Sequence, residues 1–172
     1  MKNTTILFII LFGAINVNAQ SEWSKGANGL LAYEYPSDWS ESELLKTETN
    51  ISYGAKHFDL GEIIDLSIME IPNATGIVDA TTIGVEDIKN LVLNIFSPSS
   101  EFYEIKNSSI ANIKSKYVDA SAITSQNSIV HTKLHLIFLN NKMIIIQVNF
   151  TNKEQKDYSS LAENIFRRIS TR

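Results

Sequence analysis

"HTKLHLIFLNNKMIIIQVNF", residues 131–150, is the most apolar stretch of this 172-residue chain outside its first twenty residues, and its reading decides the fold. It holds two histidines four apart, an Asn-Asn pair and the run Ile144-Ile145-Ile146 with Val148. A metal-binding helix, a membrane span and a β-hairpin are the competing readings. Neither apolar run flanking Asn140-Asn141-Lys142 approaches the ~20 residues of a transmembrane helix. The β-branched density suits a pleated surface, and Asn tolerates the positive φ of a tight turn. The stretch reads as a hairpin.

Strand parity then sets an expectation for its register. A two-residue turn at Asn140-Asn141 would put Leu139 opposite Lys142 and mix polar with apolar on both faces. A three-residue loop gathers Leu134, Leu136, Phe138, Ile144, Ile146, Val148 and Phe150 on one face, and burial favours that arrangement. The opposite face carries Lys133, His135, Gln147 and Asn149, with Ile137, Leu139, Met143 and Ile145 near the turn, so it is expected to be only partly covered. On a strand His131 and His135 stand about 13 Å apart, far beyond the ~2.1 Å at which each would have to reach one zinc ion. They are expected to be solvent-facing, and no metal site is assigned.

Outward from the hairpin, Leu30–Tyr35 reads as a first strand, stopped by Pro36-Ser37-Asp38-Trp39. Ile51–Phe58 and Ile63–Ile71 are further strands. In the second, Ile64, Leu66 and Ile68 share a face while Asp65, Ser67 and Glu70 break the other. Val85, Ile88, Leu91, Val92, Ile95 and Phe96 recur at helical spacing, with Thr82 as the cap and Ser97-Pro98 as the stop. Phe102–Ile105 and Ile110–Ile123 return to extended structure, with a break expected near Asn107–Ser109. A closing helix starts at an Asn152/Gln155 capping box. Its stripe is Tyr158, Leu161, Ala162, Ile165, Phe166 and Ile169, with Arg167 and Arg168 at its end. The fold class is α+β: a mainly antiparallel β-sheet flanked by two amphipathic helices, one on each side.

The N-terminus supplies an address. Lys2, the apolar run Ile6–Ile15 and the small-residue end Val17-Asn18-Ala19 have the order of a secretory signal peptide. Residues 1–19 are expected to be removed before Gln20, leaving residues 20–172 as one domain. No Cys follows the apolar run, so a lipoprotein is not expected; the product should be soluble, and periplasmic or secreted. The absence of Cys anywhere excludes thiol catalysis, thiolate metal sites and disulfides. A formal net charge of −4 without a basic run argues against nucleic acid as a partner.

Several candidate chemistries stand beside plainer readings. His57 and Asp59 would share a strand face, as a carboxylate-oriented general base requires, but no Gly-x-Ser-x-Gly or Ser-x-x-Lys pattern marks a nucleophile. Glu62, Asp65 and Glu70 offer carboxylates for glycoside chemistry, or simply a solvated strand edge. Trp39 with Tyr33 and Tyr35 is either a ligand platform or, as preferred, a core corner. The seven glycines are scattered and form no phosphate loop. The glycosylation triplets at Asn50, Asn73, Asn107 and Asn149 carry no weight in so Asn- and Ser-rich a chain. No catalytic, cofactor-binding or metal-binding residue is assigned.

The stretch Leu30-Leu31-Ala32-Tyr33-Glu34-Tyr35-Pro36-Ser37-Asp38-Trp39 resembles the opening strand of PsbP-like and DcrB-like domains, an apolar strand running into Tyr-Pro-x-x-Trp. The later order, a central helix after two strands, then the hairpin, then a closing helix, is similar too, over about residues 22–170. The resemblance implies an antiparallel sheet between helical layers. It also implies a non-catalytic binding or stabilising domain acting through protein–protein contacts, here in the cell envelope, with no cofactor. The competing expectation is a small-ligand carrier or minor hydrolase with a cleft near His57 and Trp39.

Overall fold

The computed structural model describes residues 22–42, 51–59, 62–73, 75–123, 127–151 and 158–172. In chain order the elements are Trp23–Ala27 (β1), Leu31–Pro36 (β2), Ser40–Glu41 (β3), Ile51–Asp59 (β4), Glu62–Pro72 (β5), Val85–Ile95 (α1) and Glu101–Ile110 (β6). They continue with Ile113–Ile123 (β7), Ile129–Leu139 (β8), Lys142–Thr151 (β9), Tyr158–Phe166 (α2) and Ser170–Thr171 (β10). Antiparallel pairing gives one sheet of order β3-β4-β5-β9-β8-β7-β6 and a smaller one of order β1-β2-β10. The signal segment, the Gln20 cleavage point and the Asn152/Gln155 cap lie outside the described residues.

The hairpin is present, but its turn has two residues. Leu139 pairs with Lys142, Ile137 with Ile144 and Leu136 with Ile145, and Asn140 and Asn141 take φ of 50° and 58°. Both turn residues in the left-handed region make the type I′ geometry that matches strand twist. The expected three-residue loop is therefore corrected. Its premise was a sheet with one dry face, and this sheet is dry on both. Leu134, Leu136, Phe138 and Ile145 pack with Ile88 and Val92 of α1. Ile137, Ile144, Ile146, Val148 and Phe150 pack on the other side with Ala162, Ile165 and Phe166 of α2 and with Leu31, Tyr33 and Tyr35 of β2. One helix lies on each side of the sheet, as parity and composition suggested, and the small sheet shares the second face with α2. Each fully buried Ile or Leu contributes ~1.5–3 kcal/mol of apolar transfer, so the two central strands anchor both layers.

Other boundaries move for identifiable reasons. β6 and β7 are joined at Ala111 (φ 52°) and Asn112 (φ 62°), not near Asn107–Ser109. Polar residues occupy β6 because, among the described residues, that strand pairs with β7 alone and stands at the sheet's edge. Thr82 caps no α-helix. It ends a 3₁₀ turn, Ala80–Thr82, capped by Asp79, and α1 starts from Gly84 without a side-chain cap. Glu86 and Asp87 do occupy its first turn, where the helix dipole favours them. Arg167 and Arg168 follow α2 rather than end it. Glu70 faces the Ile64, Leu66 and Ile68 side, since all four share parity, and it is buried there.

Candidate functional site

With both broad faces occupied, the outer edge of β6 and a cleft beside it remain open among the described residues. The β6–β7 turn fixes how the edge presents itself. In a two-residue hairpin the pair flanking the turn, Ile110 and Ile113, exchanges both backbone hydrogen bonds, and bonded and non-bonded pairs then alternate. The register continues through Ser108 opposite Ser115 and Lys106 opposite Tyr117. Ile105, Asn107 and Ser109 accordingly turn their N–H and C=O groups away from β7. Asn107 is held by its side chain, whose Oδ1 accepts from Lys116 Nζ at 2.7 Å. Near Phe102 and Glu104 the register shifts, and Tyr103 stands more than half exposed there.

The cleft, of about 380 Å³, opens between the β6–β7 turn and the end of α2, with His135 among its lining residues. His135 is not solvent-facing; it is 5% exposed. Its Nδ1 lies 2.9 Å from Ser115 Oγ, and its ring meets Phe166 and Tyr117 edge-on at 4.8 and 5.2 Å. Burial, with a smaller contribution from nearby Lys106, lowers the imidazole to about 4, so it is neutral at pH 7. Lys133 sits above Tyr117 and reaches Asp119 and Glu163, each at 3.4 Å. Burial works against its charge, but Tyr117, Asp119 and Glu163 outweigh it and hold Lys133 at about 12.

Ser115 beside His135 has the residue types of a hydrolytic pair, but Ser115 is 0% exposed, and a nucleophile must be reachable by the carbonyl it attacks. The pair is an internal clamp. His131 lies on the same sheet face, stacked between Phe150 and Tyr103. Among the described residues no three His, Asp or Glu side chains converge as a metal site would require.

The remaining candidates are dispersed. Asp65 and Glu70 point to opposite faces of β5, an interior strand rather than a solvated edge. Asp65 accepts from Asn149 Nδ2 at 2.9 Å, and Asn149 Oδ1 accepts from Thr132 at 2.7 Å. Burial raises the Asp65 carboxyl, with Asn149 and Lys56 opposing. Glu70 accepts from Asn28 Nδ2 and Lys142 Nζ. His57 pairs with Ile64 across β4 and β5; the side chains of Asp59 and Glu62 lie outside the described residues. Trp39, Tyr33 and Tyr35 are core residues, each at most 6% exposed, so the core-corner reading holds. Sequence reasoning missed the cleft because its walls, Ser108 to Asn112 and Glu163 to Ile169, come together only when α2 docks. A polar strand residue (His135) amid apolar neighbours was the one available signal.

No family model matches the chain, and no curated protein matches it in sequence. Among solved structures it is similar to the cyanobacterial PsbP protein CyanoP of Synechocystis sp. PCC 6803, with TM-score 0.57 and 14% identity over 94% of this chain and 99% of that one. It is also similar to the Pseudomonas aeruginosa protein PA94, a putative regulator of unknown function, with TM-score 0.53 and 9% identity over 84% and 94% of the two chains. A third likeness is to the Ran-binding protein Mog1p of Saccharomyces cerevisiae, with TM-score 0.53 and 11% identity over 87% and 95%. At these identities the likeness is one of fold.

Proposed function

We propose, on the PsbP-like fold of this chain, that residues 20–172 form one exported, non-catalytic domain that holds an extended segment of a partner protein along β6 in the cell envelope. The observation that carries this reading is the edge itself. Ten residues long, it pairs on one side only among the described residues, and it presents the outward groups of Ile105, Asn107 and Ser109. Such a row is complementary to any extended backbone, and pockets beside it supply selectivity. Edge strands left open are a liability that folds blunt with charge and bulges. Glu104, Lys106 and the irregularity near Tyr103 do so here at one end, while the register runs unbroken from Asn107 to Ile110. A structural neighbour adds support, since Mog1p is a Ran-binding protein. Export rests on residues 1–19 of the sequence. Among the described residues no helix is long and apolar enough to cross a membrane. The inaccessible Ser115 and the separated carboxylates support a non-catalytic role. The alternative of a carrier or hydrolase site near His57 and Trp39 finds no support, because Trp39 is packed in the core.

Replacement of Asn107 separates edge from side chain. Asn107→Ala loses the Lys116 contact but keeps the outward N–H, whereas Asn107→Pro loses both. Crosslinking followed by affinity capture from the native host should recover the same envelope protein with the parent and Asn107→Ala chains, and about tenfold less with Asn107→Pro. Equal recovery by Asn107→Pro would refute the edge reading.

A further inference from the structure

Beyond partner binding along β6, we propose that the cleft between the β6–β7 turn and α2 is a carboxylate-binding site for a small acid. Its lining is unevenly charged once internal pairing is counted. Arg167 has no ion-pair partner among the described residues, and the side chains of Ser108 and Asn112 have no hydrogen-bond partner there. All three line the cleft. His135 also lines it and spends Nδ1 on Ser115, leaving Nε2 without a partner among the described residues. If Ser115 donates to Nδ1, Nε2 carries the proton and donates into the cleft. The acidic group present, Glu163, is already engaged by Lys133. The charge left unpaired is therefore positive, one guanidinium able to hold a carboxylate in bidentate fashion, with Ser108 and Asn112 free to donate beside it.

Ser109 and Ala111 complete the lining, with three core side chains at its floor. Ile110, Phe166 and Ile169 are each at most 5% exposed and belong to the core cluster on this side. A site of about 380 Å³ lies within the ~300–1,000 Å³ of small-molecule pockets. Together these features select a small acid held through its carboxylate. Phosphate fits less well, because its second negative charge would meet Glu163 in the same lining. The carboxylate has two sources: a free small acid, or an acidic side chain of a strand lying on β6, whose residue opposite Ser108 would face this side of the sheet.

The test uses the full chain, with hexanoate, hexylammonium and inorganic phosphate as probes, read by amide shifts in nuclear magnetic resonance. Hexanoate should shift Ser108–Asn112 and Phe166–Ile169 saturably. Arg167→Gln should weaken it about tenfold, as expected for one charge-assisted contact, and Glu163→Gln should strengthen it. Hexylammonium and phosphate should leave these residues unmoved. Hexanoate that binds Arg167→Gln as tightly as the parent, or no saturable shift at all, would overturn the site, as would equal binding of hexylammonium. End-capped decapeptides of alternating pattern, with one Glu or with Gln in its place, separate the sources. Binding of hexanoate together with the Glu peptide assigns the carboxylate to a partner strand, and that peptide should fail on Asn107→Pro while hexanoate still binds. Binding of hexanoate alone assigns a free acid and keeps the cleft while the edge reading falls.

Discussion

Ser115 Oγ and His135 Nδ1 lie 2.9 Å apart beneath the edge of Phe166, so the innermost polar pair of the α2 face is roofed by the last helix. That arrangement ties stability to pH. His135 drops from an ordinary 6.5 to about 4 in the fold, through burial first and Lys106 second. A histidine lowered on folding binds its proton more readily when unfolded, so its contribution is complete above pH 6.5 and is lost as pH falls towards 4. The difference corresponds to about 3 kcal/mol. His135→Gln should therefore flatten the pH dependence of unfolding between 6.5 and 4, measured by urea titration, even though it lowers stability at pH 7.5. An unchanged slope would show that His135 titrates alike in the folded and unfolded chains.

Gly54 sits at φ +144° on β4, where a Cβ would lie 1.8 Å from the backbone oxygen of Leu66. That oxygen belongs to an interior strand and cannot withdraw without breaking the ladder on either side. Gly54→Ala should destabilise by more than about 3 kcal/mol, in the range of substitutions that force backbone to move. Thermal unfolding by circular dichroism measures it. Gly76, also at positive φ but with open space around its missing Cβ, serves as the control, and Gly76→Ala should cost about 1 kcal/mol from strain alone.

Glu70 joins the two sheets. Buried at 3% exposure, it receives Asn28 Nδ2 from the β1–β2 turn and Lys142 Nζ from β9. Asn28 meanwhile accepts from the backbone of Leu30 and Leu31, so the small sheet is fastened to the large one through one carboxylate. Glu70→Ala should cost about 3 kcal/mol, because it strands an amide and part of a cation. Lys142→Ala should cost less, since Lys142 is 40% exposed and Asn28 still satisfies Glu70. A double-mutant cycle in chemical denaturation would show the two losses to be less than additive.

These contacts mark how far the sequence could be read. The Tyr-Pro-x-x-Trp opening, the alternation of Ile64, Leu66 and Ile68 and the helical stripe around Ile88 and Val92 are local patterns, and local pairing rules decode them. Trp23–Ala27 escaped notice because Trp-Ser-Lys-Gly-Ala has no alternation. Its place is set from outside, by β2 and by Arg168, whose guanidinium covers the Trp23 ring at 4.1 Å while its NH1 donates to Glu34. The carboxylates of β5 were assigned to an exposed edge because neighbours in a sheet are not encoded in the strand itself. His135 was misplaced for the same reason, since its burial depends on Phe166, thirty-one residues later in the chain.

The hairpin turn is where local and global preferences can be separated by experiment. With both faces of β8 and β9 apolar, burial hardly distinguishes the observed register from a slip of one residue; either way large side chains meet a helix. The decision falls to Asn140 and Asn141, whose positive φ values set a two-residue turn and thereby put Ile137 under α2 and Leu136 under α1. Asn141→Gly should stabilise the chain by a few tenths of a kcal/mol, since glycine enters the left-handed region without a Cβ. Asn141→Val should cost about 1–2 kcal/mol, since a β-branched residue pays most there. More telling is one Gly inserted between Asn140 and Asn141: a two-residue turn at Asn140-Gly then shifts the pairing by one, whereas a three-residue loop keeps the observed register. If the turn sets the pairing, cross-strand nuclear Overhauser contacts in the insertion variant should include a second set that joins Leu136 to Ile144. If only the Leu136–Ile145 set persists, side-chain packing against α1 and α2 holds the register and the turn merely follows it.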